Sequence, residues 1–143
     1  MDNEYFSLAP NGHRHSGGTI LVVEDDVVVC RTLCRLLRRE GYAVTYVSEG
    51  RQALQSAQST LPDLVLLDLT LPDMDGLQVC EGLRADSRTA RIPIIVLTAR
   101  EETEDSRQSR SAGASAYVLK PVDAATLLEH VDSHISITHE GGV

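Results

Sequence analysis

The sequence has no apolar run near the roughly 20 residues that span a bilayer, and no basic segment followed by an apolar core at its start. Membrane insertion and export are therefore not expected, and the reading is a soluble cytoplasmic protein. Cysteine is sparse and odd in number. Cys30, Cys34 and Cys80 lie inside apolar patterns, without the histidines or further cysteines of a metal site, and read as buried reduced thiols. Lysine is almost missing: Lys120 stands alone against twelve arginines, within Tyr117-Val118-Leu119-Lys120-Pro121. One compact ammonium is thus kept at the end of an apolar run. Positive charge is in deficit overall, and a net charge of −8 argues against nucleic acid or an anionic membrane as a direct partner. Even so, 143 residues suffice for one domain with a proper core and no disulfides.

What is present centres on Leu64-Val65-Leu66-Leu67-Asp68, an unbroken apolar run that ends on a carboxylate. Such a run reads as a strand of a parallel sheet covered on both faces, and ligands of these sheets bind outside the carboxyl ends of the strands. An isolated acid there merely terminates the strand. A second run, Thr19-Ile20-Leu21-Val22-Val23, ends likewise on Glu24-Asp25-Asp26. If both strands are central and parallel, their carboxylates converge. Each like-charged pair at about 5 Å and an effective dielectric of about 20 then costs about 3 kcal/mol. A proton, a basic side chain or a divalent cation has to offset that, and oxygen-only ligands favour magnesium.

In chain order, residues 1–17 are a polar lead-in containing His13 and His15, read as a mobile tail. Residues 27–40 set Val29, Cys30, Leu33, Cys34, Leu36 and Leu37 opposite Arg31, Arg35, Arg38 and Arg39, an amphipathic helix ended by Gly41, its arginine stripe read as a solvated face. A strand over Tyr42–Val47, a short helix over Gly50–Gln58, the Asp68 strand and a helix through about Arg84 follow. The next strand covers Ile92–Leu97, with Pro93 near its start, and leads to Thr98. Arg100–Ala112 carries almost no apolar stripe and reads as a weakly anchored helix. Ala116–Leu119 is the last strand; a helix capped by Asp123 runs to about residue 136, and 137–143 read as a tail. Five strands alternating with five helices imply an α/β fold with a doubly wound parallel sheet. Carboxylates, a hydroxyl and an ammonium along one sheet edge suit a phosphoryl group held with a metal.

These pieces resemble the receiver domains of two-component response regulators. The resemblance rests on Val22-Val23-Glu24-Asp25-Asp26, Leu66-Leu67-Asp68, Leu71-Pro72-Asp73-Met74-Asp75-Gly76, Val96-Leu97-Thr98-Ala99 and Tyr117-Val118-Leu119-Lys120-Pro121, and covers roughly residues 18–136. It implies a flavodoxin-like fold of strand order 2-1-3-4-5, which pattern alone does not fix. It implies further that Asp68 is the phosphoacceptor, that Mg2+ is held by Asp25, by Glu24 directly or through water, by Asp68 and by the backbone carbonyl of Thr70, and that Lys120 pairs with a phosphoryl oxygen across a cis Lys120-Pro121 bond. Thr98 is then the hydroxyl that meets the phosphoryl group and Tyr117 the ring that changes rotamer; Asp26 is only an acidic neighbour at the first helix's start. Thr70 and Arg100 lie where the family varies and tunes dephosphorylation.

The implied partners are a sensor histidine kinase or histidine phosphotransfer protein and a downstream protein effector, with a possible homodimer through the face of helix 4, strand 5 and helix 5. Catalysis is limited to the domain's own phosphoryl transfer and slow autodephosphorylation. Other classes fit less well. A haloacid-dehalogenase-like phosphatase needs a second Asp where Thr70 stands, and a Rossmann nucleotide module needs a glycine-rich turn where Glu24-Asp25-Asp26 stands. A phosphorylation-independent receiver acting as a protein-binding module, and a receiver segment of a hybrid kinase or of a longer regulator, stay open, as does a stand-alone regulator.

Overall fold

The computed structural model describes residues 18–100 and 103–141. The tail expected over 1–17 lies outside them. The elements are β1 (Thr19–Val23), α1 (Val27–Arg39), β2 (Ala43–Val47), α2 (Gly50–Thr60), β3 (Leu64–Leu67), α3 (Gly76–Ala85), β4 (Ile94–Thr98), α4 (Thr103–Ala112), β5 (Ala116–Leu119) and α5 (Ala124–Gly141). All strand pairs are parallel, in the order β2-β1-β3-β4-β5. This is the doubly wound flavodoxin-like sheet that the resemblance implies.

The two-residue period of a strand splits each apolar run between the faces of the sheet. Ile20, Val22, Leu64, Leu66, Ile95 and Leu97 pack against Leu33, Cys34 and Leu37 of α1 and Leu127, Val131 and Ile135 of α5. Leu21, Val23, Val65, Leu67, Ile94 and Val96 instead meet Ala53, Ala57, Val79, Cys80 and Leu83 of α2 and α3, with Ala112 of α4. Because both faces are covered, the central strands read as continuous apolar runs. The three cysteines are free thiols inside these layers. Burial pushes Cys30 up to about 11 and Cys80 up to about 12, so both stay protonated.

Some boundaries differ from the pattern reading. Strand β4 starts at Ile94 rather than Ile92, since Pro93 has no N–H to donate; its carbonyl accepts from Val65 N–H at 2.9 Å. Helix α2 continues to Thr60 and is closed by Leu61 at a φ of 48°, a left-handed turn without the usual glycine. The backbone of α5 stays helical to Gly141, beyond the start of the expected tail. Among the described residues no helix is long and apolar enough to cross a membrane.

The α3 side of the sheet is tied together by one guanidinium. Arg84 donates from Nε to Gly113 O at 2.9 Å, and from Nη1 to Ala90 O at 3.0 Å and Ile92 O at 2.6 Å. It thereby holds the loops that lead into β4 and β5. Arg84→Met keeps most of the stem but removes all three donors. At about 1 kcal/mol per bond, the unfolding free energy is expected to fall by about 3 kcal/mol. Urea denaturation checks this, with the midpoint lowered and the slope unchanged.

Candidate functional site

Three of the strand ends converge because adjacent parallel strands end at one edge. Asp68 follows β3, and its N–H donates to Val23 O at 3.0 Å, which sets it beside the end of β1. There Glu24 is buried and Asp25, at the bend that follows, is exposed. Lys120 follows β5; its N–H donates to Thr98 O at 2.8 Å, and the Lys120-Pro121 bond is cis, as expected. From that anchor its Nζ donates to Glu24 Oε1 at 2.8 Å and to Asp68 Oδ2 at 3.2 Å. The other Asp68 oxygen, Oδ1, accepts from Thr70 N–H at 3.1 Å. Thr98 is fully buried at the end of β4, and its Oγ1 accepts from Arg100 N–H at 3.4 Å.

The electrostatics follow from burial and charge. Glu24 titrates above its ordinary value: burial is the main cause and the Asp68 carboxylate adds to it, while the Lys120 hydrogen bond pulls the other way. Burial acts to lower the Lys120 ammonium, but its bond to Glu24 and the charges of Asp68 and Glu24 outweigh that, and it titrates above the ordinary lysine range. One oxygen each of Glu24, Asp25 and Asp68 lie within 4.8 Å of one another. This all-oxygen anionic set, with only one ammonium to neutralise it, fits a hard divalent cation such as Mg2+.

Further contacts surround this cluster. Asp26, expected as an acidic neighbour at the start of the first helix, stands there as the N-cap of α1, accepting from Val28 and Val29 N–H at 2.9 and 3.1 Å. Asp73 in the loop after Asp68 accepts from Gly50 and Arg51 N–H at 2.7 and 3.0 Å, so the loop caps α2. Arg100 reaches Thr70 Oγ1 at 3.4 Å, Leu69 O at 3.3 Å and Asp75 Oδ2 at 3.8 Å. The Tyr117 hydroxyl donates to Arg100 O at 2.8 Å, which joins that ring to the β4–α4 connection.

The family model for the response regulator receiver domain matches residues 20–132. The DNA-binding response regulator MtrA of Mycolicibacterium paratuberculosis is 41% identical over 116 residues, which are 81% of this chain and 50% of that protein. The transcriptional regulatory protein CseB of Streptomyces coelicolor is 37% identical over 124 residues, 86% of this chain and 52% of its own. The receiver domain of a sensor histidine kinase from Pseudomonas aeruginosa, solved with a magnesium ion coordinated in its active site cleft, superposes with a TM-score of 0.79 at 36% identity, covering 85% of this chain and 99% of that one. The chain spans about half the length of the curated relatives it matches. Since those relatives are named for DNA binding or transcription, they lend no support to the expectation that nucleic acid is not contacted. With the family model running across the whole sheet and acidic strand ends gathered at one edge, this chain belongs to the response regulator receiver domains, the signalling switches of two-component systems.

Proposed function

We propose that Asp68 is the phosphoacceptor and that Glu24, Asp25, Lys120 and Thr98 serve its phosphorylation. The observation that carries this reading is the Lys120 ammonium bridging Glu24 and Asp68 within a cluster of three carboxylates. Glu24, Asp25, Asp68 and the backbone carbonyl of Thr70 are the groups that would hold Mg2+, which supplies Lewis-acid neutralisation of phosphoryl charge. The donor is the phosphohistidine of a sensor kinase or phosphotransfer protein in the cytoplasm. An Asp68 oxygen forms the new bond to phosphorus, the bond to the imidazole nitrogen breaks, and that nitrogen keeps the electron pair. Lys120 meets the charge on the transferring oxygens. The product is an acyl phosphate, lost again by the domain's own slow hydrolysis.

The added group carries roughly two negative charges. Its contact with the Thr98 hydroxyl changes what the Arg100 backbone and the Tyr117 ring can do, since Arg100 N–H bonds Thr98 and Tyr117 bonds Arg100. The face of α4, β5 and α5 is then the output surface, read by a protein effector or a second copy.

The test is treatment with acetyl phosphate, with and without Mg2+. Intact mass is expected to rise by one phosphoryl group only when the metal is present, with the modification mapped to Asp68. Modification at another residue, or an equal rise without divalent metal, overturns the reading. A neighbouring glycine gives an independent check. A Cβ on Gly76 would lie 2.6 Å from Leu69 Cα and 2.8 Å from Asp68 O, both backbone atoms. Gly76→Ala therefore shifts the Asp68 loop: it is expected to cost about 1–3 kcal/mol of stability and to slow phosphorylation by about 10–100-fold. Melting curves and acetyl phosphate kinetics measure the two effects.

A further inference from the structure

Between α1 and the edge strand β2 lies a groove of about 670 Å³ that the phosphorylation chemistry does not use along most of its length. Its walls carry Arg31, Arg35, Arg38 and Arg39 from the helix and Tyr46 and Ser48 from the strand side. At 1.5 Å per residue the arginine stripe runs for about 12 Å. Among the described residues none of these four guanidiniums has an ion-pair partner. In a chain of net charge −8, four unpaired arginines on one stripe are a local excess that solubility does not require. Arg38 is also held in position: its Nη2 donates to Val44 O at 2.9 Å, which fixes the guanidinium against the sheet edge. Tyr46, which lines the same groove, is 60% exposed, in a protein with only four tyrosines and no tryptophan.

The size is that of a small-molecule site, within the roughly 300–1,000 Å³ of ligand pockets. The wall chemistry selects a ligand that is multiply anionic at one part and flat at another. Guanidiniums spaced along a helix pair with phosphate oxygens, and an open aromatic ring offers a stacking face to a base. A nucleic acid polymer fits less well, because Glu24 and Asp25 close one end of the groove with negative charge. We infer that the α1–β2 groove binds a small nucleotide bearing at least two phosphate charges, with phosphates on Arg31, Arg35 and Arg39 and the base against Tyr46. This does not depend on the assignment of Asp68.

Isothermal titration with adenosine diphosphate, guanosine diphosphate, pyrophosphate and adenosine separates the parts. At least one diphosphate nucleotide is expected to bind one-to-one and more tightly than pyrophosphate, with adenosine weakest. The Arg35→Ala, Arg39→Ala double variant is expected to lose affinity for it by about tenfold or more. Tyr46→Ala is expected to weaken the nucleotide and leave pyrophosphate unchanged. Melting curves of both variants report whether they fold, and Arg35→Gln, Arg39→Gln replaces a double variant that does not. Absence of nucleotide binding to the wild type overturns the proposal, as does equal binding by a folded double variant. Pyrophosphate as tight as the nucleotide, with Tyr46→Ala silent, overturns the base contact and leaves only an anion site. Tighter binding of a short single-stranded oligonucleotide than of either nucleotide overturns it as well.

Discussion

Asp68→Asn is expected to end phosphorylation by acetyl phosphate completely while leaving the fold in place. The two side chains have nearly the same shape, so the packing of the β3 end is kept. An amide can still accept from Thr70 N–H, as Asp68 Oδ1 does at 3.1 Å, and Lys120 retains its 2.8 Å bond to Glu24. What is lost is the anionic nucleophile. A second effect follows from the electrostatics. The Asp68 charge is one of the influences that raise Glu24, so its removal relaxes Glu24 toward its ordinary value and reduces the repulsion a cation can relieve. The rise in melting temperature that Mg2+ gives the wild type is therefore expected to shrink in the variant. Intact mass and melting curves with and without Mg2+ read the two outcomes. A mass increase equal to wild type removes Asp68 from its role.

The readability of this site from the sequence has a physical basis. A strand buried on both faces has to be apolar until the chain leaves the sheet, so the first polar residue marks the strand end, and Asp68, Glu24 and Lys120 are such residues. The order of the strands was a different matter. Pattern gives alternation of strands and helices but no adjacency, and the order 2-1-3-4-5 came from the family resemblance. What stayed illegible were long-range bonds from a side chain to the backbone. Arg84 and Arg100 differ in no sequence pattern from the solvated arginines, yet one holds three carbonyls and the other reaches across to the loop after Asp68. Asp73 is likewise an ordinary turn acid until the fold brings the start of α2 against it. Leu61 hid the end of α2, because the left-handed residue there is not the glycine that usually announces it.

Lys120→Met is expected to destabilise the fold about as much as Arg84→Met, but through charge rather than lost donors. The stem is replaced at similar volume and the ammonium disappears, leaving Glu24, 4% exposed, and Asp68, 7% exposed, side by side without their cation. Breaking a buried pair by removing one partner costs about 3–5 kcal/mol, and the part-exposed lysine argues for about 3. The pH dependence identifies the cause. Glu24 already titrates above 4.5 in the folded wild type, chiefly through burial. A carboxyl that binds its proton more tightly when folded contributes stability fully below its unfolded value of about 4.3 and loses it as pH rises through the folded value. Without the Lys120 hydrogen bond, which pulls Glu24 down, the folded value climbs further, so the penalty at pH 7.5 grows and is relieved on acidification. Lys120 itself, raised above 10.5, contributes its share everywhere below that pH, so its own titration does not enter the range. The deficit of the variant is thus expected to be about 3 kcal/mol at pH 7.5 and clearly smaller at about pH 4.5, close to the unfolded value. Mg2+ is expected to recover part of it at the higher pH, where the carboxylates are charged. Urea denaturation of both proteins at the two pH values measures this. A deficit that does not change with pH would mean that Lys120 stabilises the sheet edge through the packing of its stem, and not by neutralising the acidic strand ends.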